Sequence, residues 1–152
     1  MSNQIDLSQA RAANILLVED NEADVLLTQL AFQESRLLVN MDTVDDGEKC
    51  MAYLRKQAPY REAPTPDLIL LDLNLPVMDG REVLAEMIED DALRKLPVVV
   101  LTTSKSDSDL LAMYNLRCSS YIIKPIDFEQ FHRVIKHLCE YWFTVVTLPP
   151  KK

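Results

Sequence analysis

Four short apolar runs in this chain each stop at a polar group, always at the C-terminal end. Ile15-Leu16-Leu17-Val18 runs into Glu19-Asp20, and Leu68-Ile69-Leu70-Leu71 runs into Asp72. Val98-Val99-Val100-Leu101 runs into Thr102-Thr103-Ser104, and Tyr121-Ile122-Ile123 into Lys124-Pro125. Runs this short, rich in Val, Ile and Leu and bounded by Pro or Asp-Gly, read as strands. They are nearly continuous rather than alternating, so both sheet faces must be covered. The polar stops would then share one edge of one sheet.

Helix-like segments fill the intervals. One runs from about Glu22 to Glu34, with Leu26, Leu27, Leu30 and Ala31 on one apolar face. Leu38–Val44 reads as the second strand, and Asp46-Gly47 opens a helix carrying Cys50, Met51 and Leu54. A loop with Pro59, Pro64 and Pro66 leads into the third strand, Asp67–Asp72. Asp79 is placed to cap a helix whose Val83, Leu84, Met87 and Ile88 share a face. Pro97 leads into the fourth strand, followed by a helix from about Ser106 to Asn115 with Leu110, Leu111 and Tyr114 inward. Cys118–Ile123 is the fifth strand, and the last helix spans about Asp127 to Trp142. Strict alternation of strand and helix implies an α/β fold, a doubly wound five-stranded parallel sheet with helices on both faces. In the strand order 2-1-3-4-5, strands 1 and 3 are neighbours at the topological switch point, where ligands bind beyond the strand carboxyl ends.

Composition narrows the function classes. At 152 residues, 48% hydrophobic and 26% charged, the chain is expected to fold as one globular domain. A net charge of -8, with no basic cluster larger than a pair such as the terminal Lys151-Lys152, argues against nucleic acid as a partner. The apolar runs fall far short of a membrane span, and residues 1–13 lack the pattern of a signal peptide, so a cytoplasmic location is expected. Cys50, Cys118 and Cys139 are unpaired in pattern and read as reduced and buried. His132 and His137, five apart, have the wrong spacing to share a ligand face.

In this topology Glu19, Asp20 and Asp72 converge. Taken singly, each acid reads equally well as a solvated turn residue or a helix cap. Together they repel unless a cation or shared protons compensate. An Mg²⁺-like site meets that need, with hard oxygen ligands and a phosphate partner. The Asn74 carbonyl is within chain reach of the same ion, Lys124 would add positive charge from the opposite wall, and Thr102 would offer a hydroxyl.

These segments resemble the receiver domain of two-component response regulators. The resemblance rests on Val18-Glu19-Asp20, on Leu71-Asp72-Leu73-Asn74-Leu75-Pro76 with Met78-Asp79-Gly80, on Leu101-Thr102, and on Tyr121 with Lys124-Pro125. More narrowly, Asp72–Glu86, Pro97–Ser104, the loop around Tyr60–Pro66 and the ending Trp142…Pro149 are similar to single-domain response regulators of cyanobacterial phytochromes.

The resemblance implies a flavodoxin-like (βα)5 fold divided as an N-terminal arm at 1–13, a receiver domain at 14–142 and a C-terminal extension at 143–152. It implies that Asp72 accepts a phosphoryl group from a histidine kinase, and the narrower similarity points to a phytochrome as that kinase. Mg²⁺ would be held by Asp20, Asp72 and the Asn74 carbonyl, with Glu19 acting mostly through water. Lys124 would pair with a phosphoryl oxygen, and its bond to Pro125 would be cis. Thr102 and Tyr121 would be switch residues. Thr103 and Ser104 depart from the smaller residues often found after the switch threonine.

Only about ten residues follow the last helix, so the expected output is protein contact rather than an attached effector. Phe143, Val145, Val146 and Leu148 make an apolar tail that either folds back on the last helix or reinforces a two-fold interface. A homodimer through the fourth helix, the fifth strand, the last helix and the extension is the expectation. The chain reads as a phosphoacceptor that supports its own phosphorylation and dephosphorylation rather than as an enzyme. A phosphohydrolase also uses a strand-end Asp, but generally needs a second acid where this chain has Asn74. A phosphorylation-independent interaction module is the other alternative, and it normally goes with loss of one of these residues.

Overall fold

The computed structural model describes residues 12–34, 38–103 and 120–123, together with 129, 132 and 133, with Thr102 and residues 120–122 described by backbone alone. Five parallel strands, β1 (Ala13–Val18), β2 (Val39–Val44), β3 (Leu68–Asp72), β4 (Val98–Thr102) and β5 (Ser120–Ile123), form one sheet in the order β2-β1-β3-β4-β5. The expected topology is met. The strand ends differ from the sequence reading by a residue or so where they can be compared.

The strands alternate between two cores. Leu16, Val18, Ile69, Leu71, Val98 and Val100 face one side, where they pack with α2 (Gly47–Leu54) and α3 (Gly80–Ile88) through Cys50, Met51, Leu54, Val83, Leu84 and Met87. Ile15, Leu17, Leu68, Leu70, Val99 and Leu101 face the other side with Ala31 and Phe32 of α1 (Glu22–Glu34). This two-sided cover is why the strand sequences show no polar alternation, and each buried leucine contributes about 1.5–3 kcal/mol of transfer free energy.

The helices start where caps allow. Asp46 accepts from the Lys49 amide at 2.7 Å, and Asp79 accepts from the amides of Arg81 and Glu82 at 2.8 and 3.1 Å. Each aspartate satisfies donors that the first helical turn leaves unpaired. Asp67 fastens the entry to β3, accepting from the Asn14 amide at 2.8 Å while its own amide donates to the Asn14 carbonyl at 2.7 Å.

The apolar face expected for α1 needs correction. Ala31 is buried, but Leu26, Leu27 and Leu30 are 56%, 37% and 42% exposed. The helix is seated instead by Thr28, Ala31 and Phe32, with Val25 partly buried beside them. Thr28 can occupy the core because its hydroxyl donates to the Asp24 carbonyl at 2.7 Å, which leaves the sheet-facing surface apolar. Among the described residues no helix is long and apolar enough to cross a membrane. The helix expected at 106–115, most of that at 127–142, the C-terminal extension, Cys118, Cys139 and His137 lie outside the described residues. Cys50 is a free, buried thiol.

Candidate functional site

Register brings the acids together. Val18 of β1 is level with Leu71 of β3, so Glu19 and Asp72, each one residue further on, leave adjacent strands at the same height. Glu19 stays tied to the sheet, since its amide donates to the Val44 carbonyl at 3.0 Å. One carboxylate oxygen from each of Glu19, Asp20 and Asp72 lies within 4.8 Å of the others. Glu19 and Asp72 are 1% and 3% exposed, whereas Asp20 is exposed. Three hard oxygen donors at this spacing, two of them withdrawn from solvent, fit a divalent cation of the Mg²⁺ type.

Short-range bonds fix the two buried carboxylates. Glu19 Oε1 accepts from the Asn21 amide at 3.1 Å, and Asp72 Oδ1 accepts from the Asn74 amide at 3.1 Å. Asn21 also caps α1, its Oδ1 accepting from the Asp24 amide at 3.1 Å. The acidic pair is thereby anchored to the start of that helix. The Asn74 side-chain amide donates to Thr103 Oγ1 at 3.0 Å, bridging the loops after β3 and β4.

Neither Asn21 nor the Asn74–Thr103 bridge was foreseen from sequence. Asn21, three residues before Asp24 at the head of a helical pattern, carried a capping signal. The bridge carried none, because it depends on two loops meeting.

Thr102 closes β4 opposite Ile123 of β5, and Tyr121 pairs with Val100. Thr102 therefore ends on the same sheet edge as Asp72, which pairs with Leu101, while Tyr121 lies two residues before the end of β5. Lys124 and Pro125, with the cis bond expected between them, lie outside the described residues. Among the described residues a cis peptide joins Ala58 and Pro59.

Glu19 and Asp20, but not Asp72, line an open cleft of about 410 Å³ together with Thr43, Asp45, Lys49 and Tyr60. Lys49 Nζ bonds Asp45 Oδ1 at 2.7 Å. That bond holds the Asp45 carboxyl below its ordinary range and raises the Lys49 ammonium above its own. Behind the cleft, burial pushes the Cys50 thiol up to about 12. Tyr53 is raised by burial and by donating to Asp42 at 2.5 Å, a bond that favours its neutral form.

Comparison with known proteins agrees with this geometry. The chain is 42% identical over 135 residues to response regulator Rcp1 of Synechocystis sp., covering 89% of this chain and 92% of that one. The phosphorylated cyanobacterial phytochrome response regulator RcpA superposes with a TM-score of 0.81 at 46% identity, covering 92% of this chain and all of the other. The Mn²⁺-bound form of Rcp1 superposes with a TM-score of 0.79 at 41% identity, covering 91% and 99%. The model of the response regulator receiver domain matches residues 15–136, and the chain belongs to that family of phosphoacceptor signalling domains.

Proposed function

We propose that the chain accepts a phosphoryl group on Asp72 from the phosphohistidine of a sensor kinase, in a reaction that requires Mg²⁺. The observation that carries this reading is the convergence of Glu19, Asp20 and Asp72 within 4.8 Å at the ends of β1 and β3. A carboxylate oxygen of Asp72 attacks phosphorus, the P–N bond breaks, and the imidazole nitrogen keeps the electron pair. A carboxylate nucleophile has no proton to give up, so no base is needed and the protein's task is positioning and charge neutralisation. Bound Mg²⁺ supplies positive charge to the phosphoryl oxygens and to the three acids.

Asp20, Asp72 and the Asn74 carbonyl would bind the ion, and Glu19 would hold its water. Lys124, beyond β5, would neutralise a phosphoryl oxygen, its bond to Pro125 in the cis form. Thr102 would donate to another oxygen, and Tyr121 would turn inward as it does so, shifting a two-state element on the β4–β5 side of the sheet. Water attack on the same phosphorus would return Asp72 to its free form, so the domain would support its own dephosphorylation.

The similarity to Rcp1 and RcpA supports a phytochrome-class kinase as the donor. The fold division in this reading is an arm at 1–13, the receiver at 14–142 and an extension at 143–152. The output is a changed set of protein contacts in the cytoplasm, including a homodimer built on the fourth helix, β5, the last helix and the extension.

Intact-mass measurement after incubation with Mg²⁺ and acetyl phosphate tests the chemistry. One added phosphoryl group in wild type, absent in Asp72→Asn and with EDTA, is the expected result. An unmodified wild type of confirmed fold would overturn it. Light scattering with and without beryllofluoride tests the dimer, which monomer under both conditions at high concentration would exclude.

A further inference from the structure

The chain contains two glycines, Gly47 and Gly80, and neither has a positive φ. Conformational freedom therefore does not explain them, and close approach does. A Cβ on Gly80 would lie 2.4 Å from the Asp72 carbonyl oxygen. A Cβ on Gly47 would lie 2.0 Å from the Met78 carbonyl oxygen and 2.8 Å from its carbonyl carbon. Gly80 belongs to the acceptor segment itself. Gly47 does not: it is the first residue of α2, capped by Asp46, and it abuts the loop between β3 and α3 from outside.

That loop is a small closed ring. The amides of Leu75 and Gly80 both donate to the Leu73 carbonyl, at 3.2 and 3.0 Å, and the Met78 amide donates to Pro76 at 2.7 Å. Pro76 removes one soft dihedral. Val77, a β-branched residue with 74% of its surface exposed, is held at φ 67. A β-branched side chain in the left-handed region is strained and persists only where its surroundings over-determine it. The backbone contact between Gly47 and Met78 is the surrounding element that presses on this turn.

We infer that Gly47 is a positioning residue for the acceptor site: α2 begins with a bare Cα so that its first turn can seat the β3–α3 loop and thereby set the Asn74 carbonyl beside Asp72. A Cβ at position 47 would stand 2.0 Å from the Met78 carbonyl oxygen, where real contacts keep at least 3.0 Å, so the loop and the start of α2 must separate by 1 Å or more. In a ring closed on Leu73 and stiffened by Pro76 such a shift reaches Asn74, three residues before Val77. Mg²⁺-type sites demand near-ideal octahedral geometry, so an oxygen moved by that much is lost as a ligand.

The inference rests on the proposed cation site, and the test separates the two. Mn²⁺ alone is titrated by calorimetry into wild type, Gly47→Ala, Val77→Gly and the double variant Gly47→Ala/Val77→Gly, well below each melting temperature. Val77→Gly relaxes the turn, so the double variant can absorb the added methyl and fold even where Gly47→Ala alone does not. The expected result is a Kd about tenfold weaker in the double variant than in Val77→Gly, the lower end of what loss of a ligand-orienting group costs. Amide shifts at Asn74 and Met78 should accompany the loss. Leu17→Ala, a core change on the opposite sheet face, serves as the destabilised control and should keep wild-type Mn²⁺ affinity. Equal affinity of the double variant and Val77→Gly would overturn the role of Gly47 while leaving the cation site intact. A similar loss in Leu17→Ala would reduce the effect to general destabilisation and overturn it as well. Absence of Mn²⁺ binding in wild type would overturn both readings.

Discussion

Replacing Asp72 by Asn should stabilise the metal-free protein while abolishing most of its response to Mg²⁺. The isosteric amide keeps an oxygen to accept from the Asn74 amide, so packing and that bond change little. What changes is charge. Two unit charges at the 4.8 Å that bounds this cluster repel by about 3.5 kcal/mol at an effective dielectric of about 20. Exposure of Asp20 screens its share, which lowers the expected net relief to about 1–2 kcal/mol. For a domain of this size that corresponds to a melting temperature roughly 3–6 °C above wild type in EDTA. Mg²⁺ at a hundred times its Kd should then stabilise wild type by about 2.7 kcal/mol and the variant by about 1 kcal/mol or less, bringing wild type level with or above it. Thermal unfolding followed by circular dichroism, with EDTA and across an Mg²⁺ series, reads both effects. A metal-free variant that melts below wild type, with equal Mg²⁺ gains in both proteins, would refute the claim that these acids share one ion.

Three other outcomes are expected. Stability should fall with pH above the ordinary thiol value of 9.0, because Cys50 ionises in the unfolded chain there but in the fold only at about 12. The loss approaches about 1.4 kcal/mol per pH unit over that window, and Cys50→Ala should flatten it in urea melts at pH 8 to 10, below the ordinary tyrosine value of 10.0 at which Tyr53 adds a loss of its own. Leu70→Ala empties a side chain that is 1% exposed between β1 and β4 and should cost about 2–5 kcal/mol in denaturant unfolding. Thr103→Val removes the acceptor of the Asn74 amide; stability should change by less than about 1 kcal/mol because both groups are exposed. Its phosphoryl half-life, followed by intact mass, should differ measurably from wild type, and an identical half-life would show that the bridge does not govern access to Asp72.

Much of the fold was legible because its signals are periodic or local. Uninterrupted apolar runs identified strands covered on both faces, and the two layers of leucine and valine around the sheet bear that out. Asp79 announced its helix by residue type and position, as a cap must. The acids were legible once the strand order was read, because register on adjacent parallel strands sends Glu19 and Asp72 out at one height.

The failures share a different cause. Leu26, Leu27 and Leu30 form an apolar face on α1, but a helix carries no sign of which face the sheet will meet when Thr28 can hide its hydroxyl within its own turn. The Asn74–Thr103 bridge joins residues 29 apart, and no local pattern encodes such a meeting.

Sequence by itself determined the strands, their polar ends and the identities of the acids, because side-chain period and chain order are properties of one dimension. Tertiary structure decided which side of α1 is buried, where the Asn74 amide points and why position 47 has no side chain. Those depend on how closely two separately encoded backbones approach, and the chain expresses that distance only after it has folded.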